Sequence, residues 1–515
     1  MASASLAAAP EEGAANRLAI TAVVILASFM TVLDSTIANV ALPFMQPGLG
    51  AASDTIAWVL TSYIVATAIA TPLTGWLAEK IGRRQLFLWS VAGFVAASML
   101  CGLAQTLGQM VVFRMFQGAC GAFIAPLAQA FILDVWPRAR HGQAMAMWGV
   151  GIMVGPILGP VFGGYLTENF DWRWVFFINL PFGVLALLAG MAILPNLRAN
   201  PRRFDFLGFG LLALGVAALQ LCLDRGQQLD WFASWEVRVE AGLAAAALWA
   251  FAIHVATART STILDRRMLA DRNMVTGMGF AALIGVLMIS TTALLPTMLE
   301  KLFGYPAMTT GFIMAPRGAG IMFSMVVVGR LNSTVDPRLL MVIGLTMVCV
   351  SLYAMSQFSP QMDSRPLIIT GLMQGAGMGL VFIPLNTIAF ATLPADLRTD
   401  AAGFFQLLRN LGGSIGVSMS VGVLARQMQV SHADIGGALT PFATPWADGG
   451  VASVMGSSGE MVTAMIDGAV NAQAAMIAYI DVFYMLFWVT VAMMPLVLLL
   501  KKPVGSPPAA EMMTD

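Results

Sequence analysis

Few residues in this chain can do chemistry, and they stand out because of where they sit. Asp34 lies in LAITAVVILASFMTVLDSTIANVALP (18–43), an apolar run long enough to cross a bilayer. A carboxylate inside such a run is costly, so it reads as a functional group facing a cavity or a partner rather than lipid. Its chemistry is proton uptake and release, and it is the group best placed to change charge during a working cycle. A hydrogen bond to Thr31 or Asn39 is the structural alternative. Arg114, in VVFRMFQG, cannot readily shed its charge, so it needs a carboxylate, carbonyls or water. Asp34 serves if the first and fourth spans face each other, with Gln117 as a polar helper. Otherwise Arg114 snorkels to the interface. Arg317 and the pair Arg409–Asn410, with Gln406 one turn earlier, have no carboxylate in their spans. They suit backbone carbonyls or an anionic or polar ligand group. Asn39, Gln117, Arg317, Gln406, Arg409 and Asn410 are therefore the candidate ligand-binding residues.

Other chemistries lack their residues. His141, His254 and His432 are far apart, and the four cysteines fall in apolar runs without CxxC or CxxH spacing, so no metal site is expected. There is no HExxH, no pair of carboxylates within a span and no Ser–His arrangement in the helices, which argues against a membrane-embedded enzyme.

The elements that position these residues are membrane spans. Of 515 residues, 58% are hydrophobic and 10% charged, against roughly 25% charged in soluble domains. The fold class is an all-α polytopic membrane protein. Zero net charge leaves no basic surface for nucleic acid. Residues 1–16 lack the basic start of a cleaved signal peptide, and the apolar run that follows is too long for one. Apolar runs predict fourteen spans, at 18–42, 55–77, 86–104, 109–133, 142–165, 173–194, 205–223, 236–257, 273–298, 306–329, 338–357, 366–391, 400–425 and 476–500. Of the 27 Lys and Arg residues, eighteen then fall on the side holding both termini, six on the other, and Arg114, Arg317 and Arg409 inside. The positive-inside rule makes the richer side cytoplasmic.

The ends of the second and tenth spans, GWLAEKIGRR (75–84) and GRLNSTVDPR (329–338), share spaced residues. They occupy corresponding places in a first and a last set of six. Parallel six-helix repeats with a leftover central pair predict a major facilitator fold. Its parts are a tail (1–16), a six-helix bundle (17–195), two inserted helices (196–258), a second bundle (259–500) and a tail (501–515). The segment 426–475 is expected to be a long extracytoplasmic loop, and its end, GEMVTAMIDGAVNAQAAM (459–476), has a loose helical pattern that suits the membrane surface or a partner. In the 75–84 stretch, Gly75 and Glu79 precede a tight turn at Gly82, with Arg83 and Arg84 beyond it. These suit a charge latch that closes one side and breaks on opening. The fifth span reads GVGIMVGPILGPVFGG, where Gly151, Gly155, Gly159 and Gly163 form one flat face and Pro156 and Pro160 add bends. Small residues at that spacing let helix backbones touch in lipid. The open question is whether this face seals one half against the other.

These motifs resemble those of the fourteen-helix drug:proton antiporters of the major facilitator superfamily. WRWVFFINLPFG (172–183) and LDRGQQLDWF (223–232) resemble the EmrB/QacA group, and within it EmrB-type exporters of Gram-negative bacteria. The resemblance covers most of the chain. It implies an alternating-access multidrug/H+ antiporter of the inner membrane, driven by the proton gradient without a cofactor. It implies a periplasmic EmrA-type adaptor and a TolC-type outer-membrane channel as partners. It matches Asp34 to the first-helix acid, Arg114 to the fourth-helix arginine and Gly155–Pro156 to the antiporter motif. Two departures stand out. The usual loop acid is Asp, here Glu79, and Gln406, Arg409 and Asn410 stand where some relatives carry carboxylates. The latter favours lipophilic, weakly acidic or neutral substrates. Export of one native metabolite (a siderophore, lipid or antibiotic) on the same fold is the alternative.

Overall fold

The computed structural model describes residues 8–52, 55–137, 140–195, 203–258, 262–331, 334–394, 397–438 and 459–501. Arg138, Arg198, Arg202, Arg259, Lys502, the outermost tails and the centre of 426–475 lie outside the described residues. Among the described residues, fourteen helices are long and apolar enough to cross a membrane. The first six are α1 (Asn16–Gly48), α2 (Trp58–Ile81), α3 (Arg83–Leu103), α4 (Leu107–Val135), α5 (His141–Asn169) and α6 (Trp174–Ile193). An inserted pair follows, α7 (Phe206–Arg225) and α8 (Trp235–Thr257). The last six are α9 (Arg272–Lys301), α10 (Met308–Leu331), α11 (Pro337–Met355), α12 (Ser364–Ala391), α13 (Arg398–Gly437) and α14 (Ala464–Leu499). The side where α1 begins and α14 ends is called terminal, and the other distal.

Local chemistry sets the boundaries. Gly82 joins α2 to α3 with φ at 92°, a left-handed turn that a side chain would strain. Asp205, Asp271, Asp336 and Asp363 cap α7, α9, α11 and α12, each accepting a backbone N–H of the first turn. The segment 426–475 departs from the expected loop. α13 runs on to Gly437, and the helix containing α14 already starts at Gly459. At about 1.5 Å per residue, the 40-residue α13 is roughly twice as long as the hydrocarbon core is thick. Hydropathy ends near Leu424, but the helix continues because its polar extension has a partner. Gln427 Nε2 donates to Asp481 Oδ2 at 2.7 Å, and His432 Nε2 lies 3.4 Å from Asp467 Oδ1.

The two sets of six repeat the same packing. α1 lies on α5 as α9 lies on α13, α2 on α4 as α10 on α12, and α3 on α6 as α11 on α14. The glycine faces make these seams. A Cβ at Gly159 would overlap Thr36, and one at Gly155 would sit 3.0 Å from Val32 Cγ1, so α1 and α5 touch backbone to backbone. Thr36 Oγ1 reaches the Gly155 carbonyl at 3.4 Å. In the second set, a Cβ at Gly416 would come 2.7 Å from Val286 Cα. Gly151, Gly155, Gly159 and Gly163 thus face α1 inside one bundle. Contact between the bundles uses a neighbouring face of α5 against α10, where Gly149 meets Met325 and Gly318 meets Ile157.

Candidate functional site

The first bundle encloses a polar cluster in an otherwise apolar interior. Asp34 is 1% exposed and Arg114 fully buried. Arg114 Nη1 donates to Asp34 Oδ2 at 2.8 Å and to Gln117 Oε1 at 2.7 Å, and its Nε donates to the Val59 carbonyl at 3.2 Å. Asp34 Oδ1 accepts from Gln117 Nε2 at 2.8 Å and from Asn179 Nδ2 at 2.7 Å. Asn179 also donates to Ser98 Oγ at 3.0 Å, and Ser98 to the Phe176 carbonyl. One carboxylate therefore receives three donors from α4 and α6. A buried ion pair needs this completeness to offset its desolvation. Above it, Leu33, Ile37, Met45, Trp172 and Phe176 form an apolar plug towards the distal side. The Tyr63 ring lies 4.3 Å from the Arg114 guanidinium carbon, a cation–π stack.

Between the bundles lies a cavity of about 570 Å³, within the range of small-molecule sites. Its walls are Ser28, Thr31, Val32 and Ser35 of α1, Tyr63, Thr67 and Thr71 of α2, and Trp148 and Ile152 of α5. Leu223, Asp224 and Gln227 at the distal end of α7 face Gln406, Arg409, Asn410 and Ser418 of α13. Arg409 Nη2 donates to Gln406 Oε1 at 2.7 Å, its guanidinium lies 5.6 Å from the Phe382 ring, and Gln406 bonds Asn410 at 3.1 Å. Arg409 makes no ion pair among the described residues, so donors remain available to a ligand. Trp148 donates to Ser28 Oγ at 3.2 Å and stacks on Phe382 of the other bundle.

At the terminal side the bundles meet. Asp134, at the end of α4, pairs with Arg83 of α3 and, across the interface, with Arg398 of α13 at 3.3 Å. Arg398 also donates to the Leu133 carbonyl. Gly75 lies so close to Asp400 that a Cβ there would overlap the carboxylate. In the repeat, Gly329 packs against the start of α5, where a Cβ would come 2.8 Å from Ala146 Cβ. Arg84 donates to the Met191 carbonyl, and Glu79 takes part in a further polar or electrostatic contact.

The sequence candidates thus separate. Asp34, Arg114 and Gln117 come together, but inside the bundle: Asp34 faces its partner, not the cavity, and Tyr63 stands between. Gln117, expected to bind ligand, instead completes the acid's shell. Gln406, Arg409 and Asn410 line the cavity. Arg317 does not. α9 holds it through Thr291 Oγ1 at 2.6 Å, Thr292 Oγ1 at 3.1 Å and the Met288 carbonyl at 3.2 Å. Asn39 is exposed, beyond the cavity lining. In the expected latch, Arg83 pairs with Asp134, while Glu79 has a contact of its own. Sequence reasoning missed Asn179, Tyr63, Asp134, Arg398 and Asp224 as site residues. Asn179 was visible as a lone amide within WRWVFFINLPFG, whereas Asp134 and Asp224 sit at span ends and read as interfacial.

Comparison with known proteins agrees with this architecture. A family profile described as Major Facilitator Superfamily matches residues 24–417. The chain is 34% identical over 502 residues to the multidrug export protein EmrB of Escherichia coli, covering 96% of this chain and 98% of that one. It is 36% identical over 436 residues to EmrB of Haemophilus influenzae, covering 84% and 85%. It is 34% identical over 484 residues to the fatty acid resistance protein FarB of Neisseria gonorrhoeae, covering 93% and 95%. The solved structure of the human organic anion transporter TETRAN superposes with a TM-score of 0.60 at 14% identity, covering 92% of this chain and 99% of that one. The proton:xylose symporter XylE gives 0.59 at 12%, covering 94% and 96%. These last two share the fold alone. The family profile and the EmrB relatives, together with the fourteen helices, make this a multi-pass membrane transporter that belongs to the Major Facilitator Superfamily and, within it, to the EmrB-type exporters.

Proposed function

We propose that the protein is a proton-coupled antiporter that exports hydrophobic small molecules by alternating access. The observation that carries this reading is the Asp34–Arg114 pair beneath Tyr63, a residue of the cavity wall. A proton on Asp34 removes the counter-charge of Arg114, whose stack with Tyr63 then changes, and so proton and substrate occupancy bias each other without sharing a site. Two ligands that prefer different states are enough to couple one flux to the other. The α1–α5 seam supports a route to the other bundle, since α1 carries Asp34 and α5 contacts α10.

The excess of Lys and Arg on the terminal side supports a reading in which that side, and both termini, face the cytoplasm across a bacterial inner membrane. The distal extensions of α13 and α14 then stand in the periplasm. There they offer a helical surface to an EmrA-type adaptor leading to a TolC-type channel. Bridged through Asp134 and Arg398, the cytoplasmic side is the closed one. Arg409, Gln406 and Asn410 favour lipophilic substrates with a weakly acidic or polar group, because a guanidinium matches a carboxylate in two parallel hydrogen bonds. The relationship to a fatty acid resistance protein favours the narrower reading of one amphipathic acid.

The test is transport in proteoliposomes under an imposed pH gradient, wild type against Asp34→Asn. The wild type should move a lipophilic substrate against its own gradient, and the variant should bind the substrate but ignore the pH gradient. Full gradient-driven flux through Asp34→Asn would overturn the coupling scheme.

A further inference from the structure

We infer that the inserted helix α7 supplies a cation site to the central cavity, with Asp224 as its charge and lipophilic monocations as its ligand class. The inference rests on the cavity being the transport site. α7 is not a spectator at the lipid boundary. It packs on α2 of the first bundle and on α13 of the second, and its distal end reaches the cavity between them. Ser418 of α13 donates to the Leu223 carbonyl at 3.0 Å, and Gln227 and Trp231 come within 4 Å of a Cβ built on Gly422. From this braced end, Leu223, Asp224 and Gln227 line the cavity.

The partners of Asp224 are both neutral. Gln220 Nε2 donates to its Oδ1 at 2.9 Å, and Thr61 of α2 hydrogen-bonds it. The cation nearest in sequence turns away: Arg225 pairs with Glu236 at 3.1 Å and lies 3.7 Å from Glu240, both on α8. Among the described residues Asp224 makes no ion pair. An asparagine would satisfy Gln220 and Thr61 about as well, so the fold makes no use of the negative charge. A carboxylate that lines an apolar cavity and makes no ion pair among the described residues can take a cation that arrives there. A carboxylate has about four acceptor positions, and two are taken here, which leaves room for an ammonium or an onium ion. The surrounding wall of Leu60, Ile64, Leu223 and Val421 suits the apolar remainder of such a molecule. With Arg409 on the facing helix, one cavity then carries a site for each sign of charge. That extends the substrate range beyond the acids and neutral compounds that Arg409 and its neighbours favour.

The experiment compares tetraphenylphosphonium with tetraphenylborate, which match in shape and differ in sign. Equilibrium dialysis against the full-length protein in nanodiscs, with protein-free nanodiscs subtracted, gives both affinities for wild type, Asp224→Asn and Asp224→Glu. Removing one partly screened charge should lower the ratio of cation to anion affinity by about tenfold. Asp224→Glu should restore it. Unchanged tetraphenylphosphonium binding would overturn the inference, and so would equal loss of both ions. If both ions bind Asp224→Asn normally but neither is transported, Asp224 is a coupling group and the cation site is likewise refuted. The binding assay needs no proton gradient, so it decides this point even if the antiport reading fails in proteoliposomes.

Discussion

Replacing Asp134 by asparagine tests whether the terminal-side junction is a latch or a passive contact. Asp134 lies between Arg83 of its own bundle and Arg398 of the other and pairs with both. The side chains are 18% exposed for Arg83, 20% for Asp134 and 9% for Arg398. Fully exposed pairs contribute roughly 0.2–1 kcal/mol each, and two pairs that are mostly shielded come to about 1–2 kcal/mol together. Asparagine keeps one acceptor oxygen and loses the charge, so most of that difference disappears. The state closed on this side then loses about 5–30-fold in population relative to the open state. Spin labels at the exposed positions Gln85 and Leu339, one in each bundle, report this side without touching the junction. In the variant the distance distribution should gain a longer component, and raising the salt should lengthen the distances in the wild type more than in the variant. A population change of less than about twofold would show that apolar packing alone holds the side shut and that the charge relay is incidental.

Three further substitutions separate packing from binding. Gly159→Leu forces a side chain into Thr36 at the α1–α5 seam and should lower thermal stability by about 1–3 kcal/mol and stop transport. Gly164→Leu, where nothing lies within 4 Å of a built Cβ, should do neither, and equal damage from both would remove the seam argument. Arg317→Met replaces a buried cation held by neutral oxygens alone. Measured by thermal unfolding and a substrate panel, it should keep or raise stability and leave the substrate profile intact. A selective loss of acidic substrates would instead return Arg317 to the binding site.

The sequence alone carried the architecture. Fourteen apolar runs, the lopsided loop charge and the echo of 75–84 in 329–338 were enough to specify two repeated bundles with a pair inserted between them, because the bilayer forces every span to be an apolar helix of set length. Asp34 and Arg114 were legible as partners for the same reason: two opposite charges inside spans have few ways to be satisfied. Helix length beyond the hydrocarbon was legible only in part: 459–476 shows a loose helical pattern, but the extension of α13 depends on contacts such as Gln427 with Asp481 rather than on hydropathy. Nor were the faces. Arg317 and Arg409 look alike as lone cations in apolar runs, yet one turns to the threonines of α9 and the other to the cavity, a matter of rotation about the helix axis. Asp134 and Asp224 each lie one residue past a predicted span. Only the packing of α4 on α13, and of α7 across α2 and α13, turned one into the tie between bundles and the other into a wall of the cavity. Those roles belong to pairs of surfaces brought together from distant parts of the chain, and a pattern read along one helix carries no information about its neighbour.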